Sequence, residues 1–191
     1  MRSLHRYMAI ALLTWTSSML MVQLAEAHLM VAQHGTLNVV DNGVFMVLSL
    51  PVSAFDGVDD DNDGKVSMLE FNNHRGAIVE SVRQNVTLSA GQGNASLQGI
   101  MLSPVVPHDI TGEPFSQLTV MGRFTLNDPD SALRFYIGLY GRQAAEQSLE
   151  ITATRKRDNQ KTVFELTSTA PASVIFPVSA LPWQKPVAWD L

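Results

Sequence analysis

The chain has 191 residues, 46% of them hydrophobic and 16% charged, with 13 Lys+Arg against 18 Asp+Glu and a formal net charge of −5. That balance argues against a nucleic-acid binder, which presents a basic face, and the apolar fraction suffices for a packed core rather than a disordered chain. The absence of cysteine excludes disulfides, thiolate-ligated zinc, iron–sulfur clusters and thiol catalysis, and leaves packing, oxygen ligands and histidine to do the work.

Met1–Ala27 reads as a secretory signal peptide. Arg2 and Arg6 supply the positive start, Met8–Leu13 and Met19–Leu24 are apolar, and Ala25-Glu26-Ala27 fits a small-x-small cleavage site. The expected product is periplasmic or secreted and begins at His28. No later stretch is long and apolar enough to cross a bilayer, so no transmembrane segment is expected after signal removal.

Residues 28–50 read as a β-hairpin. Thr36–Val40 and Val44–Leu50 flank Asp41-Asn42-Gly43, and Asn-Gly between apolar runs is a strong turn signal. The unbroken run Val44-Phe45-Met46-Val47-Leu48 predicts a strand buried on both faces.

Residues 51–85 form an insert. Its acidic stretch, residues 56–70, holds six carboxylates against one lysine, Lys65, and so carries nearly all the surplus negative charge. Such a cluster repels itself unless a cation sits among the carboxylates. Met68 to about Gln84 then reads as a helix, with Phe71, Ile78 and Val82 on one face, and Arg75, Glu80 and Arg83 towards water. Gly76 weakens its middle.

Residues 86–191 read as the remainder of a β-sandwich. Apolar residues alternate in Leu118–Leu126, Leu133–Leu139 and Leu149–Ala153, and further strands are expected at Val86–Leu88, Leu97–Leu102, Thr162–Leu166 and Ser173–Pro177. The tail carries Pro182, Trp183, Pro186 and Trp189. The expected architecture is mainly β (α+β), an antiparallel β-sandwich of about eight strands with a loop and helix inserted after the first hairpin.

Asp59-Asp60-Asp61-Asn62-Asp63-Gly64-Lys65-Val66-Ser67-Met68-Leu69-Glu70 matches D-x-[DN]-x-[DN]-G-x5-E at every defined position. Asp59, Asp61 and Asp63 alternate, so a tightly wound loop can turn all three carboxylates inward. Gly64 supplies a positive-φ turn. Val66 is the apolar residue that pins the loop to the body or to a partner loop. This segment resembles the loop and exiting helix of the EF-hand family. The resemblance implies calcium, with Asp59, Asp61, Asp63, the Lys65 carbonyl, Ser67 and Glu70 as ligands. An entering helix of two turns at most is expected between Pro51 and Asp59. Ser67-x-x-Glu70 is also a capping box. A lone loop of this kind implies a structural, sensing or interaction role, with an extracytoplasmic protein as the expected partner, and no enzyme activity.

Copper is a second reading. The amino group and imidazole of His28 can chelate copper(II), with His34 or His108 as a further nitrogen ligand. In this the chain is similar to exported copper-binding β-sandwich proteins that begin with histidine. A leading His, a hairpin and an EF-hand-like insert also resemble the soluble leading region of hydrogenase/urease-accessory-type membrane proteins. Without later spans, no transport role is implied. His74, four residues after Glu70, reads as an exposed side chain rather than a metal partner.

Overall fold

The structure, a computed structural model, describes residues 33–91, 93–106 and 113–176. Met1–Ala27, read above as a signal peptide, His28, His108 and the Pro182–Trp189 tail lie outside the described residues. No helix among the described residues is long and apolar enough to cross a membrane.

Ten strands occur among the described residues: β1 (His34–Val40), β2 (Gly43–Pro51), β3 (Val86–Ala90), β4 (Gly93–Asn94), β5 (Ser96–Val105), β6 (Gln117–Thr125), β7 (Leu133–Ile137), β8 (Ser148–Arg155), β9 (Gln160–Thr167) and β10 (Ala172–Phe176). They form a six-stranded sheet in the order β5-β6-β2-β1-β8-β9 and a four-stranded sheet in the order β10-β7-β3-β4. This is the expected sandwich, with two strands more than the eight anticipated. One seam is parallel, β1 against β8 from His34↔Glu150 to Val39↔Arg155; the other pairings are antiparallel.

Alternation places one side of each strand in the core. Leu37 and Val39 of β1, Met46 and Leu48 of β2, Val120 and Phe124 of β6 and Leu149, Ile151 and Ala153 of β8 face Leu88, Phe135 and Ile137 of the smaller sheet in one buried cluster. The first hairpin departs from its sequence reading in two ways. Gly43 pairs with Val40 inside the strands, so Asp41 and Asn42 form the two-residue loop, and Asp41 takes the positive φ of 51°. Gly43 itself has no positive φ, and a Cβ there would meet only the flexible end of the Arg123 side chain, 2.7 Å from its Nε. In addition, β2 is buried on one face only. Phe45 and Val47 are 47% and 40% exposed on the outer side of the larger sheet, where the Arg123 guanidinium stands 5.7 Å over the Phe45 ring. An apolar run reports burial on average and not the face.

The insert shares the sandwich core instead of forming a separate domain. Phe55, Val58, Val66, Phe71, Ile78 and Val82 belong to the same buried cluster as the strands. Its helix, α1 (Met68–Asn85), starts at Ser67, whose side chain accepts from the Glu70 amide while the Glu70 carboxylate accepts from the Ser67 amide. Phe71, Ile78 and Val82 are its buried residues, and Arg75, Glu80 and Arg83 are exposed, as the periodicity predicts. The entering helix is reduced to a single 3₁₀ turn, Val52–Ala54, because Pro51 still pairs in β2 and Gly57 takes a φ of 69°.

Candidate metal centre

The loop between the 3₁₀ turn and α1 is wound by its own carboxylates. Oδ2 of Asp59 accepts from the Gly64 amide at 2.9 Å, Oδ1 of Asp61 from the Asp63 amide at 3.2 Å, and Oδ1 of Asp63 from the Lys65 amide at 2.7 Å. Each bond satisfies a backbone donor that no ladder reaches and turns the chain inward around the acid that accepts it. Asn62 and Gly64 supply the left-handed positions, with φ of 60° and 84°. The outcome is a group of three carboxylates, Asp59, Asp61 and Asp63, whose nearest oxygens lie within 4.8 Å of one another. These three can hold a metal ion.

Asp61 and Asp63 are exposed and Asp59 is half-buried. Oδ1 of Asp59 is shielded from water and receives no hydrogen bond among the described residues. An anionic oxygen in that position is costly unless a donor or cation reaches it. The amide of Asp63 favours ionised Asp61, but desolvation, the like charges of Asp63 and Glu70 and a hydrogen bond with the Asp59 carboxyl outweigh it, and the Asp61 pKa is raised above its ordinary value.

Glu70 stands apart from the three-carboxylate group. Its Oε1 accepts from the Asp60 amide at 2.9 Å, and its Oε2 from the amide and hydroxyl of Ser67, both at 2.7 Å. The Ser67 hydroxyl first, then the Ser67 and Asp60 amides, hold its carboxyl below the usual range. Those three bonds leave part of the capacity of a carboxylate, about four lone-pair sites, for another ligand. Ser67 is thus tied into the helix cap, and Lys65 enters the loop through its amide bond to Asp63.

The loop is anchored at Val66. The Val66 amide donates to the Phe115 carbonyl at 2.8 Å and the Phe115 amide to the Val66 carbonyl at 2.9 Å, a single antiparallel bridge just before β6. Phe115 is 1% exposed and meets Phe71 of α1 edge-on, with ring centroids 5.8 Å apart. The body of the sandwich therefore supplies the contact that the sequence reading left open between body and partner loop. Sequence periodicity does not reveal Phe115, because an isolated aromatic after Pro114 carries no periodic signal. A second missed contact is Nε2 of His74 with Oδ1 of Asp60 at 2.9 Å. His74 is half-buried rather than exposed, and the carboxylate it meets is that of Asp60.

Of the residues read as a copper set, only His34 is described. It opens β1 between Ser49 of β2 and Glu150 of β8. A separate cleft of about 230 Å³ beside α1 is lined by Phe55, Asp56, Ile78, Ser81 and Asn85 among others, and Asp56 is paired there with Arg142 at 3.2 Å. No protein-family model and no curated protein matches the chain.

Proposed function

We propose that this is an exported calcium-binding protein, periplasmic or secreted, in which residues 59–70 hold the ion and the role is structural, sensing or interaction rather than catalytic. The observation that carries the reading is the water-shielded, donorless Oδ1 of Asp59 within a set of three carboxylates whose oxygens approach to 4.8 Å. Glu70 and the Lys65 carbonyl complete the expected ligand set, with Ser67 acting directly or through water. Calcium suits a site with many oxygens and a two-oxygen glutamate better than magnesium, which demands a tight octahedron. Export rests on the character of Met1–Ala27.

The bound ion would offset the mutual repulsion of the loop carboxylates, and the Val66–Phe115 bridge would pass that gain to the sandwich. A ligand that binds only the folded state adds about 2.7 kcal/mol at 100 times its dissociation constant. Isolated extracellular sites of this type bind at roughly 10⁻⁴–10⁻³ M. The test is calorimetric titration with calcium, paired with thermal unfolding in chelator and in excess calcium. A calcium-dependent rise in Tm that Asp59→Ala abolishes supports the reading. No heat of binding and an unchanged Tm in millimolar calcium removes it.

A further inference from the structure

Among the described residues, three of the four sheet edges are guarded. On β5, Gly99 with φ of 62° lies in a bulge between Gln98 and Met101, and Pro104 interrupts the far end. On β10 the register shifts between Val174 and Phe176. Strand β4 is only two residues long. Such devices keep an edge from pairing with another chain. Strand β9, Gln-Lys-Thr-Val-Phe-Glu-Leu-Thr over eight residues, has no proline, glycine or register shift.

Its open hydrogen-bonding groups can be identified. The Ser168 amide donates to the Gln147 carbonyl of the chain entering β8, whereas the Thr167 amide turns the other way, to Ala170. Because bonding alternates along an antiparallel strand, Lys161, Val163 and Glu165 also direct their amides and carbonyls away from β8. Their side chains are exposed on the outer face, Val163 at 53%.

This edge is complementary to itself. In an antiparallel pairing centred on Val163, Val163 meets Val163, Lys161 meets Glu165 and Glu165 meets Lys161, with six backbone hydrogen bonds across the two-fold axis. Within one chain, Lys161 and Glu165 are about 13 Å apart along the strand and cannot pair. Within one chain, moreover, Glu165 stands directly opposite Glu150 of β8, a like-charge arrangement that destabilises a sheet. The partner's Lys161 would sit on the other side of Glu165 and offset it.

We infer that β9 is a self-association edge, through which two copies of the chain join antiparallel about Val163 into one continuous twelve-stranded sheet. The contact is isologous and closes at two copies. Its small size predicts a weak dimer, so sedimentation equilibrium of the purified protein is run from about 10 µM to about 1 mM. The expected result is a monomer–dimer equilibrium without larger species. Lys161→Glu and Glu165→Lys each place like charges twice across the axis and should weaken the dimer tenfold or more, roughly. An equimolar mixture of these two variants, and the double variant, restore opposite charges and should regain the dimer. Both side chains are exposed, so the variants keep the fold, which far-UV circular dichroism verifies. A wild-type protein that stays monomeric to 1 mM overturns the inference. So does a dimer indifferent to both single substitutions, or a mixture that fails to recover it.

Discussion

Val66 and Phe115 give each other both of their backbone hydrogen bonds, at 2.8 and 2.9 Å, although 49 positions of sequence separate them. The acidic loop is thereby fixed to the strand that leads into the larger sheet. Truncating the buried Phe115 ring with Phe115→Ala should cost about 3–5 kcal/mol, in the range for buried aromatic side chains. The same change frees the loop and should lower calcium affinity. Urea unfolding in chelator reads the first effect and calorimetric titration the second. An unaltered calcium affinity in a destabilised Phe115→Ala protein would show that loop and body are uncoupled.

Two acids of the loop should respond in opposite directions when calcium is absent. The Asp61 pKa is raised in the folded state, so above the unfolded value of about 3.9 its ionisation disfavours the fold. Asp61→Asn should raise Tm at pH 7 in chelator. The Glu70 pKa is lowered, so its contribution is present above the unfolded value of about 4.3 and is lost as pH falls through the folded value. Glu70→Gln should lower Tm under the same conditions. Both variants should lose calcium affinity. Parallel shifts of the two apo melting temperatures would contradict the electrostatic account of the loop.

The glycines separate space from conformation. Gly76 lies inside α1, and a Cβ there would meet nothing within 4 Å. Gly76→Ala should therefore stabilise the protein by about 0.5–1 kcal/mol. Gly64 is equally uncrowded, but its φ is 84°, so Gly64→Ala should cost about 1–2 kcal/mol. Denaturant midpoints at constant slope distinguish the two signs.

At the β8–β9 turn, Arg155 is 8% exposed, lies 4.6 Å over the Phe176 ring and donates to Asp158 at 2.7 Å. Its hydrogen bond and charge hold the Asp158 carboxyl below its ordinary value, against a smaller desolvation effect. The pair therefore stabilises above the unfolded value of about 3.9, and that contribution fades as pH falls through the folded value. Asp158→Asn should melt earlier than the wild type at pH 7, with the gap narrowing as the pH is lowered into the acid range. A gap independent of pH would mean that the carboxylate charge is irrelevant at this corner.

Much of this architecture is legible in the residues because local periodicity reports local facts. Leu133–Leu139 and Leu149–Ala153 alternate and become β7 and β8; Phe71, Ile78 and Val82 share a stripe and are the buried side of α1. The winding of the loop follows from Asp59, Asp61, Asp63 and Gly64, each of which acts within five residues of itself. What the sequence does not display are relations between distant segments. Nothing in Phe115 announces Val66, and nothing in Phe45 or Val47 says that theirs is the more exposed side of the strand. Glu70 could be placed opposite the loop from spacing alone, but its engagement with Ser67 and the Asp60 amide depends on how the helix cap closes.

The parallel seam between β1 and β8 has a consequence for the order of assembly. Strands β5, β6, β2 and β1 lie on one side of it, and β8 and β9 on the other. On a growing chain β1 can fold back on β2 early, but its other flank stays open until Ser148–Arg155 has been made, more than a hundred positions later. Loop closure over that span makes the seam a late and slow event. Until it forms, the larger sheet exists as two unjoined halves, each with a raw edge.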